Sequence, residues 1–281
     1  MTNDSMTNNS NIKGKVILAG AGPGDPELIT VKVAKYLQQA DVVLTDRLVS
    51  DEILDQYVSA NAEIIHVGKQ CRRGVSTPQE TINELLVHYA SSGKFVVRLK
   101  GGDVSVFSNI KDELDTLIEN QISYEIIPGV TAALGAAAYA GIPLTARNYA
   151  TSVRFVTYYK SDIVNDAYWK ELADTTDTIV FYMSSETLDT VVAKLVTNNI
   201  AADKLLAVIE QATTPFQKVH ISNLYNYEET LKNQSFISPS LIIIGKVVAL
   251  HEQFAWLENN ESSKFYFKPV QEIIKSIKLS A

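Results

Sequence analysis

Residues 15 to 140 alternate between short apolar runs and segments whose apolar residues have helical spacing. Lys15–Gly20 is a continuous β-rich run that ends in glycine, and Pro26–Leu37 places its apolar residues three positions apart. Strands that alternate with helices in this way predict an α/β domain with a largely parallel sheet covered on both faces. The other predicted elements here are strands Asp41–Asp46, Glu63–Gly68, Lys94–Lys100 and Tyr124–Pro128, helices Gln79–Ala90 and Lys111–Asn120, and a small-residue helix from Thr131.

The segment Pro143–Ala150 interrupts both periodicities and is rich in turn formers, so a domain boundary is predicted there. The pattern beyond it predicts a second α/β domain, richer in antiparallel pairing. Its predicted elements are strands Ser152–Thr157, Asp177–Tyr182, Leu205–Glu210, Gln217–Ile221 and Pro239–Gly245, and helices Glu186–Asn198 and Asn223–Gln234. The predicted organisation is a flexible tail (1–13), an N-terminal α/β domain (14–147), a C-terminal α/β domain (148–250) and an extension (251–281) that ends in a helix over Val270–Leu279.

Composition narrows the classes of protein that this chain can represent. Apolar residues make up 46% of its 281 positions, enough to bury a sizeable core, and its net charge of −7 argues against a protein that coats nucleic acid or an anionic membrane. A single cysteine, Cys71, fits a reducing compartment. With no apolar signal segment at residues 1–13 and no run long enough to span a bilayer, we expect a cytoplasmic protein.

A glycine-rich loop, Gly20–Asp25, lies between the first predicted strand and helix. It does not match the G-x-G-x-x-G fingerprint of dinucleotide-binding proteins, and Pro23 removes an amide that a pyrophosphate would need. The loop therefore predicts contact with a neutral or cationic ligand, the alternative being a tight turn without a ligand.

Charged side chains follow the second and third predicted strands. Asp46 and Arg47 end the second strand, where Asp46 is either a functional carboxylate or a solvated strand end. The loop Val67–Thr77 contains Lys69, Arg72 and Arg73, which favours either an anion site or a solvated basic face.

Two further loops, Gly101–Asp103 and Pro128–Ala133, follow predicted strands of the same domain. Because parallel strands place their carboxyl ends at one edge of a sheet, these loops predict a single crevice. The four histidines lack metal-ligand spacing, and Cys71 has no identifiable histidine partner. Chemistry that needs neither a metal nor a covalent nucleophile is favoured.

Five ordered segments together resemble the tetrapyrrole methyltransferase family, in particular its uroporphyrinogen-III C-methyltransferase branch. The resemblance extends over residues 15 to 250, with weaker similarity in the second domain. The five segments are Val16–Pro26, Ala40–Asp46, Val67–Lys69, Val97–Asp103 and Ile127–Thr145.

The resemblance implies two α/β domains with S-adenosylmethionine in the cleft between them, in a homodimer. It further implies two methyl transfers to uroporphyrinogen III that give precorrin-2, for sirohaem or cobalamin, with S-adenosylhomocysteine as the second product. A methyltransferase acting on a later corrinoid precursor is the alternative within the family. A dinucleotide-dependent reductase, with Asp46 on the ribose, is the alternative from another class.

The family's functional positions transfer to this chain residue by residue. Asp46 and Lys69 match the positions with acid and base roles. The implied cofactor contacts are Pro23, Gly101, Gly102, Asp103, Val106, Thr131, Ala132, Met183 and Ala212. The substrate's carboxylates are expected to meet Arg47, Arg72, Arg73, Arg147 and Arg154, with Arg98 also lining the cleft.

The chain departs from the family pattern in three segments. Val104–Asp112 lacks an arginine common in the family, Val156–Lys160 lacks a Gly-His pair, and Ser184 replaces a glycine. Arg72, Arg73 and Lys160 are candidates for supplying the missing charge.

Overall fold

A computed structural model describes residues 14–70, 75–158 and 165–267, with the backbone alone described at 69–70 and 75–76. The described residues form two compact units, 14–21 with 29–129, and 22–28 with 130–267. The predicted tail at 1–13 and helix at Val270–Leu279 lie outside the described residues, as do Cys71, Arg72, Arg73 and Lys160.

The first unit contains a parallel sheet, as predicted. Its strands are β1 (Lys15–Gly20), β2 (Val42–Thr45), β3 (Glu63–His66), β4 (Lys69–Gln70), β5 (Val75–Ser76), β6 (Phe95–Lys100) and β7 (Ser123–Ile127), and its helices are α1 (Val31–Gln39), α2 (Asp51–Tyr57), α3 (Gln79–Ser91) and α4 (Ile110–Glu119). Five strands pair in the order β3-β2-β6-β1-β7, and each neighbouring pair is parallel. β4 and β5 form a separate antiparallel pair.

Both faces of this sheet are buried. Because successive strand residues point to opposite faces, β1 contributes Ile17 to a core with Val33 and Leu37 of α1, and Leu18 to a second core with Leu86 of α3. This arrangement confirms the predicted coverage on both sides and explains why β1 and β6 read as continuous apolar runs.

The second unit contains a mixed sheet, which confirms the predicted increase in antiparallel pairing. Its elements are α5 (Ala132–Tyr139), β8 (Val153–Thr157), α6 (Asp166–Asp174), β9 (Thr178–Tyr182), α7 (Leu188–Thr197), β10 (Leu205–Glu210), β11 (Lys218–Asn223), α8 (Tyr227–Thr230), β12 (Ser240–Gly245) and α9 (His251–Phe254). The strand order is β11-β10-β12-β9-β8, with only the β8–β9 pair parallel.

The order in this sheet places the carboxyl ends of β8, β9 and β10 at one edge, because β12 runs antiparallel to both β9 and β10. One face packs around Trp169, whose ring stacks on Phe181 with centroids 6.4 Å apart. Helix α5 packs against β12. A Cβ at Gly135 of α5 would lie 2.5 Å from Pro23 Cγ, so the helix requires a small residue at this contact.

Two predicted helices are shorter in the structure. The predicted Pro26–Leu37 helix begins at Val31, because the Thr30 hydroxyl caps it by accepting from Val33 N–H, and Pro26–Leu28 is a separate 3-10 turn. The predicted Asn223–Gln234 helix is reduced to α8 (Tyr227–Thr230), because β11 extends to Asn223, whose side chain starts a 3-10 turn by accepting from Tyr225 N–H.

Helices α2 and α6 are not among the predicted elements. The two compact units also divide at residues 129 and 130, whereas the predicted boundary lies after 147. The difference arises because α5 packs on β12 of the second unit, a contact that helical spacing does not encode.

Candidate active site

Four strand-end loops of the first unit meet at the carboxyl edge of its sheet. A Cβ at Gly20 would lie 2.6 Å from both the Gly102 carbonyl oxygen and the Gly129 nitrogen, so the backbones after β1, β6 and β7 are in contact. A Cβ at Gly101 would lie 2.7 Å from Leu48 Cβ in the loop after β2. The prediction that these loops share one edge is confirmed.

Asp103 joins two of these loops. Its Oδ2 accepts from Gly129 N–H at 2.9 Å and its Oδ1 accepts from Ser105 N–H at 2.7 Å. Gly101, Gly102 and Val106 are half-buried, while the neighbouring residues Leu99, Lys100 and Val104 are buried. The loop therefore presents backbone groups beside small side chains, held in place by the Asp103 carboxylate.

Asp46 begins the loop after β2 and is fixed by a buried guanidinium. Its Oδ1 lies 2.6 Å from Arg98 Nη2, and its side chain is 25% exposed. Within the described residues, Oδ2 has no hydrogen-bond partner. A carboxylate held by one oxygen, with the other open, is suited to accept a proton from a bound molecule.

Arg98 belongs to a buried ion-pair network. Glu113 of α4 accepts from Arg98 Nε at 3.0 Å and from Lys100 Nζ at 3.0 and 2.9 Å. Arg98 Nη1 also donates to the carbonyls of Leu44 and Leu99. With Asp46 included, the formal charges of the four side chains cancel, which is the condition for burying them.

Burial and ion pairing act in opposite directions within this network. Removal from water by itself lowers the pKa of Arg98, but the carboxylates of Asp46 and Glu113 outweigh that effect and raise it above the ordinary value. Burial and the adjacent Arg98 guanidinium lower the pKa of Lys100, against the opposing effect of Glu113.

The network corrects one expectation and adds a residue that sequence reasoning missed. Arg98 is 1% exposed with its guanidinium engaged, so it does not line a cleft as expected but positions Asp46. Glu113 had one available signal: it stands four residues before Leu117, on the buried side of α4, where a carboxylate needs a cationic partner.

Among the remaining basic residues predicted for the site in the first unit, the structure describes the side chain of Arg47. Arg47 is half-buried, its Nε is buried without a partner among the described residues, and burial lowers the pKa of its guanidinium. Lys69 begins β4, and only its backbone is described. Arg72 and Arg73 lie outside the described residues.

In the second unit, Tyr182 links the predicted cofactor contact Thr131 to Met183, the predicted contact that follows it in the chain. The Tyr182 hydroxyl accepts from Ala133 N–H at 3.0 Å and lies 2.7 Å from Thr131 Oγ1. Thr131 is the N-cap of α5 and makes no cap bond of its own, so Tyr182 supplies an acceptor for the free amides at this helix end. Tyr182 thereby holds the Thr131–Ala132 segment next to the Met183 turn.

Left-handed backbone occurs at three residues in the loops that follow β9 and β10. Met183 has φ 54°, Gln211 φ 45° and Thr213 φ 64°, a conformation that side chains other than glycine seldom adopt. Such strain persists only where surrounding contacts enforce it, and it is frequent at ligand sites. Met183 is 50% exposed, and Ala212 lies between the other two strained residues.

The loop containing Pro23 is held against this second strained loop. Asp25 N–H donates to Thr213 Oγ1 at 3.2 Å, and a Cβ at Gly24 would lie 2.8 Å from Thr214 Cγ2 and 3.2 Å from the Ala212 carbonyl oxygen. Asp25 also accepts from the Tyr139 hydroxyl of α5, and burial together with this bond raises the pKa of Tyr139 to about 12. The structure therefore brings together Pro23 and Ala212, two of the predicted cofactor contacts.

Two arginines of the second unit were expected to meet substrate. Arg147 is exposed in the loop before β8. Arg154 is already paired with Asp177 and Glu171, and it lies near the start of β8, whereas Met183 follows the carboxyl end of the neighbouring strand β9. Its charge is neutralised within the unit, so Arg154 is not retained as a substrate contact.

Within residues 14–70, 75–158 and 165–267, no group of His, Cys, Asp or Glu side chains is arranged to hold a metal ion. The same described residues include no helix of the length and apolarity that a membrane crossing requires.

Comparison with known proteins agrees with the resemblance in the sequence. The chain is 44% identical over 245 residues to the siroheme synthase of Vesicomyosocius okutanii subsp. Calyptogena okutanii (strain HA), a match that covers 87% of this chain and 52% of that protein. The chain thus spans about half the length of the curated relatives it matches.

Solved structures are similar over nearly their full length. Uroporphyrin-III-C-methyltransferase from Thermus thermophilus superposes with a TM-score of 0.72 at 31% identity, covering 87% of this chain and 98% of that one. A structure of that name and organism complexed with S-adenyl homocysteine gives a TM-score of 0.69 at 31% identity, covering 84% and 93%. The cobalt precorrin-4 methyltransferase CbiF gives 0.73 at 28% identity, covering 83% and 95%.

The sequence model of the family described as Tetrapyrrole (Corrin/Porphyrin) Methylases matches residues 15–228, which include most of both compact units. A match of this extent, together with the shared fold, confirms the expected family: the chain belongs to the tetrapyrrole methylases.

Proposed function

We propose that this protein transfers two methyl groups from S-adenosylmethionine to carbon atoms of uroporphyrinogen III, giving precorrin-2 for sirohaem or cobalamin. The observation that carries this proposal is the similarity to a uroporphyrin-III-C-methyltransferase over 98% of that enzyme's chain. The siroheme synthase relatives support the same substrate class.

The residues of each unit suit the cofactor by their chemistry. In the first unit, Gly101, Gly102, Asp103 and Val106 offer half-buried backbone groups beside small or apolar side chains. In the second, Pro23, Thr131, Ala132, Met183 and Ala212 combine one hydroxyl with apolar surfaces and no cationic group that would repel a sulfonium. We assign these nine residues as the cofactor contacts.

S-adenosylmethionine, when bound, supplies a methyl group on a positively charged sulfur, open to in-line displacement by an electron-rich carbon. Such a displacement depends mainly on alignment, so residues that fix the loops contribute most to the rate. Asp103, bonded to two backbone amides, and Tyr182, bonded at the start of α5, are two of the described residues that do so.

Asp46 serves as the general base in this proposal. After the new carbon–carbon bond has formed, the methylated ring must lose a proton, and Asp46 Oδ2 accepts it while Oδ1 remains bonded to Arg98. Lys69 either donates a proton or holds a substrate carboxylate. Its ammonium charge suits both roles.

Arginines recognise the acetate and propionate carboxylates of the substrate. Arg47, Arg72, Arg73 and Arg147 are the proposed contacts. The Nε of Arg47, buried and without a partner among the described residues, is the strongest structural support, since such a donor gains a bond from a carboxylate. We further propose that the enzyme works as a cytoplasmic homodimer, which size-exclusion chromatography with light scattering would test for the oligomer.

The decisive experiment incubates the purified protein anaerobically with uroporphyrinogen III and S-adenosylmethionine, followed by mass spectrometry. We expect products that have gained first one and then two methyl groups, and one S-adenosylhomocysteine for each. A parallel reaction offers the protein a later corrinoid precursor in place of uroporphyrinogen III. If only that precursor is methylated, the proposed substrate is wrong, but the protein is still a methyltransferase.

A further inference from the structure

The segment 259–266, here named the strap, contacts the start of β11 and the loop that precedes this strand. β11 is an edge strand of the second sheet, and the side-chain amide of Asn259 bonds to its backbone. Asn259 Oδ1 accepts from Val219 N–H at 2.7 Å, and Asn259 Nδ2 donates to the Val219 carbonyl at 2.9 Å. Asn260 adds a bond from Nδ2 to the Pro215 carbonyl at 2.7 Å.

Further along, the strap binds both polar ends of the Gln211 side chain. Gln211 Nε2 donates to the Lys264 carbonyl at 3.0 Å, and Gln211 Oε1 accepts from Tyr266 N–H at 2.7 Å. Gln211 is fully buried. These two bonds connect residues that are more than fifty positions apart and fix a side chain that no helix or strand holds.

Gln211 opens the loop that contains Ala212, and this loop is strained. Left-handed backbone at both Gln211 and Thr213 is unfavourable, so bonds from elsewhere must stabilise it. Thr213 in turn accepts from the N–H of Asp25, two residues after Pro23. A change in the strap would therefore reach two proposed cofactor contacts through one loop.

We propose that the strap presets the Gln211–Thr213 loop for S-adenosylmethionine, with Gln211 as a positioning residue that touches no reacting group. The inference rests on the proposed function. Its physical basis is preorganisation: a loop already held in its binding conformation loses less entropy when the ligand binds. The strap lies beyond residue 228, where the match to the family model ends.

Full-length variants test the proposal by isothermal titration with S-adenosylhomocysteine. Gln211→Leu removes both bonds to the strap, and we expect its Kd to rise about tenfold. Asn259→Ala acts only on the strap anchor at β11, and we expect a rise of about threefold to fivefold. Asn61→Ala, an exposed asparagine of the first unit, is the matched control and should leave Kd unchanged.

Hydrogen exchange of the wild-type protein supplies a second readout that a purely structural strap would not show. Because coupling between sites is reciprocal, saturating S-adenosylhomocysteine should slow exchange at the amides of 260–266. Asn259→Ala should reduce that protection while circular dichroism confirms an intact fold.

The outcomes separate this inference from the proposed function. If wild type binds S-adenosylhomocysteine but both variants keep Kd within twofold and the strap amides show no ligand protection, the positioning role is wrong. If wild type does not bind S-adenosylhomocysteine, the proposed function fails and the inference fails with it.

Discussion

Glu113 is a single carboxylate on which two buried cations depend. It accepts from Arg98 and Lys100, and all three side chains are buried in the first unit. Removing one partner of a buried ion pair leaves an uncompensated charge, which costs far more than the pair contributes. Glu113 therefore constrains both the stability of this unit and the placement of Asp46.

We expect Glu113→Gln to lower the free energy of unfolding by about 3–5 kcal/mol, measured by urea denaturation. Asp115→Asn on the same helix is the matched control, because it breaks only the exposed Lys111–Asp115 pair and should have no measurable effect. An equal free energy of unfolding for the two variants would show that the buried ion-pair network does not stabilise the unit.

A substitution at Asp46 separates an effect on turnover from an effect on cofactor affinity. We expect Asp46→Asn to leave S-adenosylhomocysteine affinity within about threefold and to lower turnover about 10²-fold, the usual scale for a lost general base. Titration calorimetry and a methyl-transfer assay measure the two effects. If the variant lost cofactor binding with its circular dichroism unchanged, Asp46 would be a cofactor ligand.

At the scale of elements, Glu125 ties α1 to two strands of the first sheet. This carboxylate of β7 accepts from Lys15 of β1 at 2.9 Å and from the Tyr36 hydroxyl of α1 at 2.8 Å, and it also pairs with Lys32 of α1. Hydrogen bonds from Lys15, Lys32 and Tyr36 lower the pKa of Glu125 to about 2.

The lowered pKa of Glu125 in the folded state predicts how the free energy of unfolding changes with pH. The carboxylate's contribution to stability is complete above its unfolded pKa, near 4.5, and is lost as the pH falls towards 2. We therefore expect the stability difference between wild type and Glu125→Gln to be constant above pH 5 and to shrink below it. Urea denaturation at several pH values measures this, and a difference independent of pH would contradict it.

At the scale of the whole molecule, cofactor choice has a direct thermodynamic signature. A ligand that binds only the folded protein stabilises it by about 2.7 kcal/mol at a concentration one hundred times its Kd. We expect S-adenosylhomocysteine to raise the melting temperature with increasing concentration, and NAD to leave it unchanged. A rise in melting temperature caused by NAD would favour the alternative function, a dinucleotide-dependent reductase with Asp46 on the ribose.

Much of the architecture could be predicted because it is encoded locally. β1 and β6 are buried on both faces, so their sequences are continuous apolar runs, and their parallel pairing follows from the helices between them. The glycines at 20, 101 and 102 mark the places where backbones approach closely. The family could likewise be identified from the sequence, since its motifs are short, ordered strings of residues.

Partners that are distant along the chain were decided only by the tertiary structure. Nothing near Arg98 in the sequence states that it binds Asp46 and Glu113, and nothing near Gln211 points to Lys264. Helical and strand periods specify which side of an element is buried but leave open what lies against it. The arrangement of elements supplies that information, and with it the fixed carboxylate of Asp46 and the strap on the Gln211 loop.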